Sequence, residues 1–260
     1  VQVDWGHPLA YGLVVDYLFN EGGGKTLYSI GPVPATATIQ TANVWSQSPR
    51  GSGVLFQNVA SHQANMSAAA LNITGAITIL AWFKVTGVAT ADVVNGYAAT
   101  TPFAGWGMDV GQTAGGTLSY WNGGGTWNGS TGTYNDGNIH QAVITATSAG
   151  CIFYKDGKQD STGVNAGPNA YTGVRAIGGR NDGAAANGFT GTIYRVAVWK
   201  RALSAAEILS LFAEPYAFLQ PVPAVRYWGQ VPATGGTGVM STGGATLNTG
   251  LRIPILARFP

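Results

Sequence analysis

Aromatic and amide side chains that could bind a sugar are concentrated between residues 106 and 134. Sugars stack on flat aromatic rings and take hydrogen bonds from a few well-placed polar groups. The alternation of a strand places Tyr120 and Trp121 on opposite faces, so at most one of them points inward. We expect two or more of the rings to be structural. The candidate carbohydrate-binding residues are Trp106, Asp109, Trp121, Asn122, Trp127, Asn128 and Tyr134.

The carboxylates do not form a catalytic pattern. Glycoside hydrolysis needs two carboxylates flanking one bond, and no two of the three glutamates and eight aspartates stand two residues apart on one strand face. Asp136 and His140 resemble part of a triad, but no serine in a nucleophile context accompanies them. The segment GGGKT at 22–26 lacks the first glycine of a phosphate loop, because Phe19 stands in its place. We predict no catalytic residue and no enzymatic activity.

Metal binding has weak candidates. The three histidines are far apart, and none has a ligand neighbour at a useful spacing. Calcium prefers carboxylate, amide and carbonyl oxygens, which two turns could supply, although a solvated turn is the default interpretation of each. We expect no cofactor, with calcium as the alternative. The oxygen donors are Asn181, Asp182 and Asn187 in one turn, and Asp16, Asn20 and Glu21 in the other.

The composition indicates a folded, weakly charged protein. Only 9% of the 260 residues are charged, 45% are hydrophobic, and glycine occurs 39 times. A net charge of +2 without a basic run argues against nucleic acid as a partner, and no apolar stretch is long enough for a membrane span. The single cysteine, Cys151, is expected to be a buried thiol. Low charge suits secreted proteins and large assemblies, where a neighbour covers much of the surface.

Local patterns predict short strands and one helix. Residues 192–199 alternate and are rich in β-branched and aromatic side chains, which indicates a strand. Asp156-Gly157 predicts a two-residue hairpin turn, and two glycine runs, 115–116 and 123–125, bracket a short strand around Tyr120. Ser204 and Glu207 form a capping box before a helix that Pro215 ends. The predicted apolar stripe of that helix consists of Ile208, Leu209, Leu211 and Phe212.

Five segments stand in the order of a known family: LVVDYLFNEGGG (13–24), ITILAWFKV (77–85), DGNIHQAVITATSAGCIFYKDGK (136–158), GTIYRVAVW (191–199) and RALSAAEI (201–208). They resemble LamG-like jelly-roll domains of the concanavalin A-like lectin/glucanase superfamily, over roughly residues 9–221. The resemblance implies an all-β jelly-roll β-sandwich with one short C-terminal helix and an extended C-terminal arm. The E-x-D-x-E motif of the family's glucanases is missing. Relatives often carry acids where this chain has Tyr194-Arg195, which weakens a transferred calcium site.

The predicted organisation is an N-terminal lead-in (1–12), the sandwich (13–221) and a Pro/Gly-rich apolar arm (222–260). The arm contains no acidic residue and is too apolar to remain free in water, so we expect it to lie on its own domain or on a neighbouring subunit. The proposed assembly residues of the arm are Tyr227, Trp228, Leu251, Ile253, Ile255 and Phe259.

Two functions remain open at this stage. The closing segment is similar to LamG-like domains of phage and prophage proteins, which favours a non-catalytic bacteriophage virion surface protein, as a capsid decoration or fibre. Its expected partners are other virion subunits, further copies of itself and cell-surface glycans, with no nucleic acid and no membrane. The absence of a visible signal peptide favours synthesis in the host cytoplasm. The alternative is a secreted or surface carbohydrate-binding lectin, located outside the cell.

Overall fold

The structure is a computed structural model and describes residues 1–32, 34–41, 44–59, 62–67, 69–85, 90–98, 104–124, 126–180 and 187–220. The chain divides into two units, Val1–Val222 and Pro223–Pro260. All described residues belong to the first unit. The six proposed assembly residues of the arm, and the calcium candidates Asn181 and Asp182, lie outside the described residues.

The described chain forms eighteen strands and one α-helix. In chain order these are β1 (Gln2–Val3), β2 (Leu13–Tyr17), β3 (Thr26–Tyr28), β4 (Thr36–Ile39), β5 (Val44–Ser48), β6 (Gly51–Phe56), β7 (Ala64–Met66), β8 (Ile77–Val85), β9 (Ala91–Ala98), β10 (Ala104–Val110), β11 (Thr117–Trp121), β12 (Trp127–Thr133), β13 (His140–Thr147), β14 (Gly150–Lys155), β15 (Lys158–Gly163), β16 (Arg175–Ile177), β17 (Gly191–Trp199), α1 (Ala205–Ala213) and β18 (Leu219–Gln220).

Two large antiparallel sheets face each other. The first sheet has the strand order β12-β11-β10-β9-β16-β7-β4-β3. The second has the order β15-β14-β13-β8-β17-β6-β5, and β2 pairs with the end of β17 beyond β6. A small third sheet joins β1 to β18. Sequence-distant strands therefore lie side by side, and the predicted all-β sandwich with one α-helix is confirmed for the described part of the chain.

The main core fills the space between the two sheets. Alternate side chains of β8, such as Ile79, Ala81 and Phe83, point into it, as do Trp106 and Met108 of β10. These side chains are almost fully buried. Burial of apolar area at roughly 25 cal/mol per Å² is the dominant favourable contribution to folding. The intervening side chains of each strand consequently point to the outer faces of the sandwich.

A second apolar cluster lies on the outer face of the second sheet. It combines Trp82 and Trp199 from the sheet with Ile208 and Leu211 from α1. The helix begins after Ser204, whose side chain accepts a hydrogen bond from the Glu207 amide, while the Glu207 carboxylate accepts one from the Ser204 amide. The predicted capping box is thus confirmed.

One predicted stripe residue of α1 is not in this cluster. Leu209 is 51% exposed, because the helix packs on the sheet with its Ile208 and Leu211 side only. The buried stripe of α1 is therefore narrower than its sequence predicts.

The hairpin predicted at Asp156-Gly157 joins β14 to β15. Both residues have positive φ, +50° and +78°, as the two-residue turn requires. A Cβ atom on Gly157 would lie 2.8 Å from the Cβ atom of Phe212, so glycine also allows α1 to approach the turn. No helix in the described part of the chain is long and apolar enough to cross a membrane.

Candidate functional site

Two of the predicted sugar-binding rings are core residues. Trp106 and Tyr134 are fully buried in the cluster between the sheets. Trp106 Nε1 donates to the carbonyl oxygen of Leu71 at 3.4 Å, and the Tyr134 hydroxyl donates to that of Tyr154 at 3.1 Å. Neither ring can reach a sugar at the surface, because each faces the opposite sheet rather than solvent. The expectation that two or more of these aromatics are structural is met.

The structure does bring Trp121 and Trp127 together. They are opposite each other in the register of β11 and β12, and their ring centroids are 5.2 Å apart. Tyr120 points into the core, so Trp121 points to the outer face, as the alternation predicts. Trp121 is almost buried there, and Trp127 is half-buried.

The side-chain amides of Asn122 and Asn128 bind a loop of the protein instead of pointing away from it. Asn122 Nδ2 donates to the carbonyl oxygen of Ala166 at 3.3 Å. Asn128 Oδ1 accepts a hydrogen bond from the Asn165 amide at 2.7 Å. Asn122 and Asn128 therefore tie the 165–166 loop to the β11–β12 hairpin.

Asp109 has a partner that no sequence spacing indicated. It lies opposite Asp92 in the register of β10 and β9, and both side chains are fully buried on the outer face of the first sheet. Burial, followed by the charge of Asp92 and a hydrogen bond with it, raises the pKa of Asp109 well above its usual range, and Arg180 acts in the opposite direction. The neutral form of the Asp109 carboxyl group is thus favoured over the charged form.

One of the proposed calcium ligands, Asp16 on β2, forms an ion pair. Asp16 Oδ1 and Oδ2 accept hydrogen bonds from Arg195 Nε and Nη2 at 2.9 and 2.7 Å, and both side chains are buried. Glu21 Oε1 accepts a hydrogen bond from the Tyr28 amide at 2.8 Å. Both oxygens of the Asp16 carboxylate are therefore already hydrogen-bonded to arginine. The described residues contain no group of three or more His, Cys, Asp or Glu side chains arranged for a metal ion.

His140 is held between two carboxylates. Its Nδ1 lies 2.7 Å from Asp156 Oδ2 and its Nε2 lies 2.9 Å from Asp136 Oδ1. Asp156 Oδ1 also accepts a hydrogen bond from the Gln141 amide. Backbone hydrogen bonding from Asn138 and then the contact with His140 hold the pKa of Asp136 well below its usual range. Both imidazole nitrogens are engaged, so His140 anchors the start of β13 and has no free atom for general base catalysis.

An open groove lies on the outer face of the second sheet, away from the predicted residues. It consists of two adjoining cavities of about 330 and 700 Å³ that share Pro49, Arg50 and Tyr194. The alternating outer positions of β8 and β17 form its floor. The β5–β6 turn, the loop before β13 and the segment after α1 border it. The remaining lining residues are Ser46, Gln47, Ser48, Gly51, Trp82, Lys84, Gly137, Asn138, Ile139, Thr192, Arg195, Pro215 and Tyr216.

Local packing fixes the aromatic side chains of the groove. Gly53 lies beneath Tyr194, where a Cβ atom would come within 2.6 Å of the ring. Trp82 stacks on Phe212 of α1 with ring centroids 5.7 Å apart and planes within 5°. Tyr216 is 47% exposed, and its hydroxyl donates to the Arg50 carbonyl oxygen at 3.4 Å. The groove thus offers an accessible ring beside hydroxyl, amide and cationic groups.

The sequence matches a family described as the concanavalin A-like lectin/glucanases superfamily, over residues 58–209. The chain belongs to this superfamily. The membership agrees with the two facing sheets, and it confirms the superfamily that the five sequence segments indicated. No curated protein sequence matches the chain.

Solved structures of the superfamily's fold extend the comparison. The binding domain of Paraclostridial mosquitocidal protein 1 superposes with a TM-score of 0.63 at 14% identity, over 80% of this chain and 53% of that chain. Botulinum neurotoxin type C, whose cell entry depends on two ganglioside molecules, gives 0.60 at 10% identity, over 79% and 51%. Trypanosoma rangeli sialidase with sialic acid gives 0.58 at 18% identity, over 81% and 34%. This concanavalin A-like chain spans about half or less of these proteins, and the likeness shows the fold alone.

Proposed function

We propose that this protein is a non-catalytic recognition protein that binds carbohydrate in the groove. The observation that carries the proposal is the exposed ring of Tyr216 at one end of an open groove whose wall supplies Ser46, Gln47, Ser48 and Asn138. Sugar rings stack on such an aromatic face, and hydroxyl and amide groups satisfy the sugar hydroxyls. The binding domains among the structural neighbours support a recognition role.

A non-catalytic role is supported by the state of the acidic residues. Asp92 and Asp109 are the paired carboxyl groups that come closest to a hydrolase pattern, and both are fully buried. Asp136 and Asp156 are bound to His140. None of these four carboxyl groups lines the groove.

The test of carbohydrate binding is a glycan array with the full chain, followed by calorimetric titration of the best ligand. Tyr216→Ala is expected to weaken binding at least tenfold, because it removes the stacking ring. Tyr28→Ala is the matched control, since Tyr28 is 60% exposed on the other sheet. An unchanged affinity in Tyr216→Ala would place recognition elsewhere. Trp127→Ala then tests the β11–β12 hairpin as the alternative site.

For the biological setting we propose a bacteriophage virion surface, with secretion as a lectin as the alternative. The low charged fraction of 9% and the apolar, acid-free segment 222–260 support a subunit whose surface is covered by neighbours. Light scattering of the full chain and of the chain cut after Pro221 tests this. An oligomer that becomes monomeric on truncation is expected, with the arm as the contact. A monomer in both forms favours the lectin.

A further inference from the structure

The groove contains two cationic side chains that have no carboxylate partner in the part of the chain that the structure describes. Arg50 lies at the β5–β6 turn and Lys84 on β8, and neither forms an ion pair with any described residue. Among the described residues that line the groove there is no aspartate or glutamate. Arg195, the third cation, is neutralised by Asp16. The groove therefore has an excess of positive charge, in a protein whose charged residues are few.

Arg50 is positioned before any ligand arrives. Its guanidinium carbon lies 4.6 Å from the centre of the Trp82 ring and 6.0 Å from that of Phe212. Its amide donates to Ser48 Oγ at 3.1 Å, and its carbonyl oxygen accepts from Tyr216. The contact with the aromatic rings restrains the guanidinium group, so less conformational entropy is lost when an anion binds.

Lys84 reinforces the charge from the groove floor. It is half-buried and lies opposite Thr192, another lining residue, in the register of β8 and β17. Near the loop border of the groove, Asp136 is bound to His140 and to the Asn138 amide. Charges at a partly desolvated site interact more strongly than in bulk water. A ligand that brings its own negative charge is thus favoured over a neutral one.

We propose that the groove selects an anionic saccharide, whose carboxylate or sulfate group accepts hydrogen bonds from Arg50 and Lys84. An adjoining sugar ring stacks on Tyr216. Planar guanidinium groups bind carboxylate and sulfate-like oxygens in pairs, which gives direction as well as charge. This inference rests on the proposed carbohydrate-binding function and specifies the ligand class of the same groove.

Calorimetric titration of the full chain with three oligosaccharides of equal length tests the inference: a uronate oligomer, a sulfated oligomer and a neutral oligomer. Arg50→Gln and Lys84→Gln remove one charge each at little change in size. Lys158→Gln is the control, because Lys158 is an exposed lysine on β15 outside the groove. Each groove variant is expected to weaken anionic binding roughly tenfold, the scale of one charge-assisted hydrogen bond, and the control to leave it unchanged.

Binding of the uronate oligomer alone would identify a carboxylate ligand, and binding of the sulfated oligomer alone a sulfate ligand. Either result supports the inference if Arg50→Gln and Lys84→Gln weaken binding of that oligomer more than Lys158→Gln does. Equal loss in all three variants would overturn it, since that reflects net charge only. Equal affinity of wild type for the neutral oligomer would overturn the anionic preference and retain carbohydrate recognition. No binding of any oligomer would overturn both.

Discussion

Replacing Asp16 with alanine tests the buried ion pair that connects the sandwich to the groove. Asp16 on β2 accepts two hydrogen bonds from Arg195 on β17, and Arg195 Nη1 also donates to the Pro215 carbonyl oxygen. The exposed fractions of the Arg195 and Asp16 side chains are 2% and 0%. In Asp16→Ala the Arg195 guanidinium charge therefore remains buried without its carboxylate partner. Removing one partner of a buried pair costs about 3–5 kcal/mol.

Thermal unfolding provides the measurement. A domain of this size loses about 2–4 °C in Tm per kcal/mol, so Asp16→Ala is expected to lower Tm by roughly 6–20 °C. The double variant Asp16→Leu/Arg195→Met removes both charges and should recover most of the loss, because apolar side chains replace buried ion pairs at little cost. A change below about 1 kcal/mol in Asp16→Ala would refute the stranded-charge argument. A double variant as unstable as the single one would refute it as well.

Three further predictions concern the groove, the acidic pair and the helix. Gly53→Ala should destabilise the fold by about 1–3 kcal/mol and weaken ligand binding, because the added Cβ atom would lie 2.6 Å from the Tyr194 ring. Urea unfolding measures the loss of stability, and calorimetric titration measures the loss of affinity. Asp109→Asn should flatten the dependence of stability on pH. The raised pKa of Asp109 makes the folded state hold more protons than the unfolded chain, so its contribution is complete below about pH 4 and is lost as pH rises through the folded pKa. Urea unfolding from pH 4 to 8 should show a shallower decline than in wild type. Ser204→Ala should cost about 1 kcal/mol in thermal unfolding, since it removes the α1 cap.

The helix cap also has a pH signature. Burial acts to raise the pKa of Glu207, but hydrogen bonds from Arg201 and Ser204 outweigh it and lower the pKa to about 2. A lowered carboxylate pKa contributes stability above the unfolded value, and this contribution is lost as pH falls through about 2. The Asp92–Asp109 pair and the helix cap thus affect stability in different pH ranges. Asp109→Asn and Ser204→Ala should therefore change different parts of the dependence of stability on pH.

The sequence predictions succeeded for features that depend on residues close together in the chain, and failed for features that depend on long-range strand pairing. The hairpin at Asp156-Gly157 and the capping box at Ser204 depend on residues within one turn, and both are present as predicted. Trp106 and Tyr134 were grouped with the other aromatics by proximity in the chain, although their side chains lie in the core between the two sheets. The Asp92–Asp109 pair depends on the register of two strands. No spacing along the chain indicates that register.

The sequence by itself determined the strand pattern, the single capped helix, the tight turns and the superfamily, because local backbone preferences and the alternation of apolar side chains act over a few residues. Only the tertiary structure decided where a ligand can bind. Arg50, Lys84 and Tyr216 come from three distant segments, and they meet because β6, β8 and β17 are neighbours in one sheet and α1 ends beside it. The same long-range pairing directs Arg195 to Asp16 and leaves Arg50 and Lys84 as the cations that face the groove without a carboxylate among the described residues.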